Sequence, residues 1–321
     1  MTAERSRAAA GPIGFGQRGR ILPYAAVAFA ACSWGTWALW LRRAETMGPM
    51  PSALESAIVM AVITAGSGVA MFRDRSRRPA SWRARGWVLW LGVSDALNLL
   101  FFFAAYRIMI SVSVLAHYLT PALVAVASPI ALRERVTPRT LLAVVVSVAG
   151  LAVMVGRSDA AADARVVWAS ASLGAASAVF YASTVVTNKF VIDEFTTSEA
   201  MFWHGVVATA VLAACVPLDA WGAIEPRPTL YLAAIAIWPG ALAGLVFLWA
   251  LRRMPATHAS TLTLLEPLVA VLTAGAVVGE ALGARALVGG AMILGGSLLV
   301  MTQSPARAEP RASTSPATSD F

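Results

Sequence analysis

Among the ionisable side chains inside long apolar stretches of this 321-residue chain, five stand out: Glu55, Asp95, His117, His204 and Glu266. A charge left facing hydrocarbon costs on the order of 2.5–3.5 kcal/mol. Such groups are therefore expected to face other protein or a polar cavity. Asp95 and Glu266 each stand about ten residues into their stretch, near the middle of a membrane. Desolvation penalises a bare charge there, so the chemistry that suits these positions is uptake of a proton or of the cationic part of a small molecule. Asn98 follows Asp95 by three residues, on the same side of a helix. His117, about eight residues into its stretch, is a candidate relay partner for Glu266. The competing reading is structural, a protonated carboxyl hydrogen-bonded between helices. Glu55 sits in a first helical turn, where the backbone dipole favours a carboxylate. An interhelical hydrogen bond accounts for His204.

The elements that carry these residues are membrane helices. Hydrophobic residues make up 58% of the chain and charged ones 13%, against about 25% charged in a soluble domain. Mean hydropathy is +0.70. Ten spans approach the ~20 apolar residues a crossing helix needs. They lie at about 21–41, 53–72, 86–106, 110–131, 140–156, 166–187, 198–216, 229–250, 257–279 and 284–302.

A shift of 146 residues lays the second half on the first without a gap. Pro121 falls on Pro267, Glu134 on Glu280, Gly150 on Gly296, Arg107 on Arg253 and Arg43 on Lys189. Five spans per copy is odd, so the second copy enters from the opposite side. The expected fold is an all-α integral membrane protein with ten transmembrane helices in two inverted five-helix repeats. The repeats are placed at 21–156 and 166–302. Such doubling suits a carrier whose substrate sits between two halves. The repeat mates of Asp95 and Glu266 are Ala241 and Thr120; acid chemistry would break a symmetry that architecture alone would keep.

Pro121 and Pro267 are expected to kink helices four and nine, each removing a backbone hydrogen bond. The freed carbonyls would be those of His117 and Thr263. In hydrocarbon such groups are tolerated only beside protein or a water-filled cavity, so both helices are expected to line one. Trp34 aligns with Phe180, next to Tyr181. Trp34 and Tyr181 are candidates for the cavity wall, with plain packing as the alternative. Trp37 and Trp40 suit the interfacial belt. The small-residue clusters Gly66–Gly68, Gly174–Ala178, Gly240–Gly244 and Gly289–Gly296 permit close helix approach. A homodimer through the Gly-rich helices is one use of them; packing within the chain is the other.

Arginine sets the orientation. With the N-terminus inside, 18 of the 25 Lys and Arg fall on inner segments, as the positive-inside rule requires. Both termini are then cytoplasmic, with residues 1–20 and 303–321 as disordered tails. The net charge of +8 reads as a signal to the anionic inner leaflet, not as a nucleic-acid footprint, because no basic soluble domain is present. The first span is too long for a signal-peptide core. Cys32 and Cys215 fall within spans and are expected as buried small residues, not a disulfide. The three histidines have no metal-ligand spacing. No metal and no cofactor are expected.

The order of motifs resembles the drug/metabolite transporter superfamily, EamA type. The resemblance rests on Ala30-Ala31-Cys32-Ser33-Trp34-Gly35 in the first helix and on Pro121 leading to Arg133-Glu134. It rests equally on Glu266-Pro267 leading to Gly279-Glu280, and on Gly289-Gly290 and Gly295-Gly296 in the last helix. Many relatives carry Arg early in the second helix, where this chain has Glu55-Ser56. The resemblance implies a permease of the cytoplasmic membrane that exports or exchanges a small metabolite, such as an amino acid or a drug-like compound. Its expected partners are that small-molecule substrate, the lipid bilayer and, through Glu266 or Asp95, a proton. Two other classes are disfavoured. A channel would want a continuous polar lining, and an intramembrane enzyme would want an HExxH, GxSxG or similar constellation.

Overall fold

The computed structural model describes residues 15–48, 50–74, 80–155, 163–222, 224–273, 276–277 and 284–302. Among these the regular elements are helical: α1 (Phe15–Gly35), α2 (Trp37–Glu45), α3 (Ser52–Arg73), α4 (Trp82–Ile108), α5 (Ile110–His117), α6 (Thr120–Ala131), α7 (Pro138–Val155), α8 (Ala164–Val191), α9 (Thr197–Ala214), α10 (Leu218–Gly222), α11 (Pro226–Ile235), α12 (Ala243–Leu251), α13 (Ala256–Leu262), α14 (Leu265–Thr273) and α15 (Ala284–Met301). A π-helical segment, Ala236–Leu242, joins α11 to α12.

Six stretches are long and apolar enough to cross a membrane: Ile21–Glu45, Ser52–Arg73, Trp82–Ile108, Val112–Ala131, Ala164–Val191 and Pro226–Leu251. Pro138–Val153 and Leu287–Met301 are shorter apolar helices. The ninth expected span is divided between α13 and α14. The first helix begins at Phe15, not at Ile21, since Gln17, Arg18 and Arg20 are good helix formers. The remainder of both expected tails, and Gly279-Glu280, lie outside the described residues.

The contacts repeat as the sequence does. α3 packs on α9, its own repeat mate, and α7 on α15, likewise its mate. α4 packs on α8, and their mates, α12 and α1, pack on each other. A two-fold relation between halves produces this pattern, since mates exchange places across the axis. Glycine makes the α7–α15 crossing close. A Cβ on Gly150 would lie 2.7 Å from the Gly289 carbonyl oxygen, and one on Gly296 would lie 2.8 Å from that of Ala143. Gly289 and Ala143 are themselves repeat mates. Gly290 is used too, against Leu268 of α14.

Aromatic pairs carry the same symmetry. Trp34 of α1 packs on Phe247 of α12 at 5.1 Å. The mates, Phe180 of α8 and Phe101 of α4, stack at 5.7 Å. The outer surface remains apolar, with Leu141, Leu142 and Val145 of α7 exposed side by side, which suits lipid as the solvent. Cys32 and Cys215 are both exposed. This corrects their expected burial: an apolar span has a lipid-facing side as well as a core side, and composition does not separate the two.

Replacing Gly150 by Leu would force α7 off α15. The expected loss is about 1–3 kcal/mol, as for other overpacked sites. A lower melting temperature in detergent would show it. Gly86→Ala, with nothing within 4 Å of its Cβ, should melt no lower than the natural chain. Equal melting of all three proteins would contradict the close crossing.

Candidate functional site

Two helices are interrupted at matching places. α5 ends at His117 and α6 opens at Thr120; α13 ends at Leu262 and α14 opens at Leu265. The expected kinks at Pro121 and Pro267 are therefore breaks. Each proline stands in the first turn of a new helix, where its missing N–H would have had no helical partner anyway.

Both expected orphan carbonyls are satisfied locally, by different means. Thr120 donates its hydroxyl to the His117 carbonyl at 2.7 Å. Its mate Glu266 donates its backbone N–H to the Thr263 carbonyl at 2.9 Å. In the first half the side chain closes the break. In the second half the backbone closes it, and the carboxyl is free to reach elsewhere. It faces Tyr118, in the first break, whose hydroxyl lies within electrostatic range of the carboxyl. Tyr118 is buried and Glu266 half-buried. Thus a group from each break meets across the two halves. α1 lies against the second break, for a Cβ on Gly35 would stand 2.6 Å from the Glu266 carbonyl oxygen.

Aromatic rings enclose this contact. Tyr181 of α8 lies beside Thr263 and within electrostatic range of both Glu266 and Asp95. The His117 ring stacks on Tyr181 at 5.3 Å, 11° from parallel. Phe102 lies 4.6 Å from it and Tyr118 5.0 Å, edge-on. His117 Nδ1 is 2.8 Å from the Ser177 hydroxyl. That hydroxyl directs its one proton at Asn98, 2.8 Å from Oδ1 and 3.0 Å from the carbonyl. Nδ1 must then carry the hydrogen that Ser177 accepts. The direct His117–Glu266 relay expected from sequence is not formed. His117 bonds away from the carboxyl and meets it only through the two tyrosines.

Asp95 and Asn98 share α4 but face different neighbours. Asn98 faces α8, as above. Asp95 Oδ2 stands 3.6 Å from His204 Nε2 of α9. His204 Nδ1 points at the Ala200 carbonyl, 2.8 Å away, and a carbonyl only accepts, so Nδ1 bears hydrogen. Attraction between Nε2 and Asp95 then requires one more proton on either partner. Asp95 thus faces His204 of α9 and lies apart from Asn98. Trp34 belongs to its pair with Phe247. Glu55 sits in the first turn of α3, within electrostatic range of Glu45 and Arg107.

The site that forms is therefore Glu266, Tyr118, Tyr181, Thr263 and His117, backed by Asn98. Sequence reading passed over Tyr118, because a tyrosine adjacent to a histidine carries no charge to mark it. A cleft of about 760 Å³ opens elsewhere, near Arg252 and Arg253, with Leu22, Asp74, Thr197 and Trp249 in its walls.

Long apolar helices in a doubled bundle, two of them broken at matching places, suit a multi-pass membrane protein. The chain belongs to the EamA-like transporter family, which it matches over residues 21–156 and 168–302. Members of that family are transporters of small solutes. No curated protein matches the chain. A solved crystal structure shares the fold with a TM-score of 0.72 at 21% identity, over 85% of this chain and 94% of its own.

The Asp95–His204 pair gives a test. Asp95→Asn and His204→Gln should each lower stability, and the double variant should lose less than their sum. The expected coupling is about 0.5–1 kcal/mol, as for a partly buried ion pair. Strict additivity of the melting shifts would show that the two side chains do not interact.

Proposed function

We propose that this protein is a carrier of the cytoplasmic membrane that exports or exchanges a small metabolite by alternating access. Its chain crosses the membrane ten times, with both termini in the cytoplasm. The half-helix pair α13–α14 and the short helices α7, α9 and α15 supply the four passes beyond the six longest spans. The 18 cationic residues on inner segments support the orientation.

Glu266 is the residue on which transport turns. The observation that carries this reading is its carboxyl, released by a backbone closure of the second break and facing Tyr118 of the first. A proton on Glu266, or the cationic part of a substrate, would compete with its interaction with Tyr118. Occupancy of the site would thus alter the contact between halves. A ligand shifts such an equilibrium only by its differential affinity for the two states, and a carboxyl whose partner belongs to the other half supplies that difference. The Tyr181 and His117 rings provide an aromatic surface suited to a small amphiphile. The substrate class that fits is an amino acid or a compact cationic drug-like molecule.

Purified protein in proteoliposomes tests this. A panel of labelled amino acids and cationic drugs would be offered with and without an imposed pH gradient. Gradient-driven accumulation should appear for one class and fall at least tenfold in Glu266→Gln. Accumulation that survives Glu266→Gln would remove Glu266 from the transport chemistry.

A further inference from the structure

His258 takes no part in the Glu266 site, yet it is 5% exposed and both its ring nitrogens are engaged. The Tyr24 hydroxyl lies 2.8 Å from Nδ1, and the Thr140 hydroxyl 3.3 Å from Nε2. Thr140 is in turn 3.0 Å from the Thr137 hydroxyl. Beside this chain, Lys189 stands 3.5 Å from Glu134 and donates to the Met254 carbonyl. The other Glu134 oxygen accepts the Ala256 N–H at 2.8 Å. Met254 and Ala256, which these two side chains hold, lie just before His258 in the chain, so the two groups of bonds adjoin.

Its members divide by repeat. Tyr24, Glu134, Thr137 and Thr140 come from the first half, and Lys189, Met254, Ala256 and His258 from the second. All stand at one end of the bundle, the end that carries Arg133 and Arg252. The opposite end should hold an equivalent network if the two ends were alike. The 146-residue shift sends Tyr24 to Ser170, Thr140 to Ala286 and His258 to Val112. Neither alanine nor valine can hydrogen-bond, and Ser170 instead donates to the Ala105 and Met109 carbonyls. Among the described residues the Tyr–His–Thr bridge exists at one end only.

We infer that the Tyr24–His258–Thr140 bridge, with Glu134 and Lys189, is a latch that ties the two halves together at the Arg252 end, on the α7–α13 side away from the surface cleft lined by Asp74 and Trp249. Having no equivalent at the other end, it biases the protein toward the conformation closed there. The inference rests on the alternating-access reading above. A buried hydrogen bond made in one state and lost in the other changes a two-state ratio by about tenfold.

The test uses the full chain with Cys32→Ala and Cys215→Ala and one reporter cysteine at a time. Thr261→Cys reports the latched end, where Thr261 is fully buried one turn beyond His258. Leu115→Cys, at its repeat mate, reports the other end. Each is labelled with a membrane-impermeant maleimide, in right-side-out and inverted vesicles. Tyr24→Phe, which removes one oxygen, and His258→Asn should each speed labelling of Thr261→Cys about tenfold and slow that of Leu115→Cys. An unchanged rate at Thr261→Cys in folded Tyr24→Phe protein would overturn the latch, whether or not His258→Asn folds. A rise at both reporters would also overturn it, as general loosening of the bundle. Failure of alternating access is distinguishable: with the latch intact, both reporters placed in one chain would label in the same molecule at the same time.

Discussion

A chain in hydrocarbon must satisfy every backbone carbonyl and N–H from within itself, and this protein breaks two helices in the middle of its bundle. The rest of the structure follows from how those breaks are closed. Pro121 and Pro267 cannot supply the N–H groups that continuous helices would need, so each helix stops and a new one starts. The first break is closed by a threonine hydroxyl and the second by the backbone of Glu266. That difference of one side chain for one N–H leaves a carboxyl unspent at the point where the halves meet. Tyr118, in the opposite break, receives it.

Symmetry and its violation then divide the labour. Where the two halves agree, the shared feature is architectural: Gly150 with Gly296 at the α7–α15 crossing, Trp34–Phe247 with Phe180–Phe101, and the mutual packing of α3 and α9. Where they disagree, the difference carries charge or polar bonding. Glu266 stands opposite Thr120, Asp95 opposite Ala241 and His258 opposite Val112. The mate of α4 is also wound differently. Around Pro239 it widens into a π-helical segment that contains Ala241, a common response to a residue without an N–H. α4 itself runs unbroken past Asp95.

Much of this was legible in the sequence because a repeat doubles every signal. The gapless shift fixed which residues correspond, and the structure keeps those correspondences in its contacts. The prolines marked the two places where helices fail, and Glu266 was marked by its charge in an apolar span. Three kinds of information were not legible. Whether proline kinks or breaks a helix depends on local closure by Thr120 or by the Glu266 N–H, which periodicity does not reveal. Partners distant along the chain, such as Asp95 with His204 or His258 with Tyr24, depend on how helices rotate about their axes. The small amphipathic groups that complete the site, Tyr118 above all, carry no net charge and resemble ordinary interior aromatics. Pro239 and the Gly35-Thr36 pair were visible signals of a π segment and a first-helix break, but each lay in a span whose hydropathy argued for continuity.

The central claim is that Glu266 is a carboxyl held between the halves and able to take up a proton there. A hydrophobic carbodiimide tests it most directly, since it modifies protonated carboxyls in apolar surroundings and the adduct can be mapped by mass spectrometry. The account predicts an adduct on Glu266 that forms faster in Tyr118→Phe, where the competing hydroxyl is gone. Modification of Asp95 with Glu266 untouched in both proteins would contradict it.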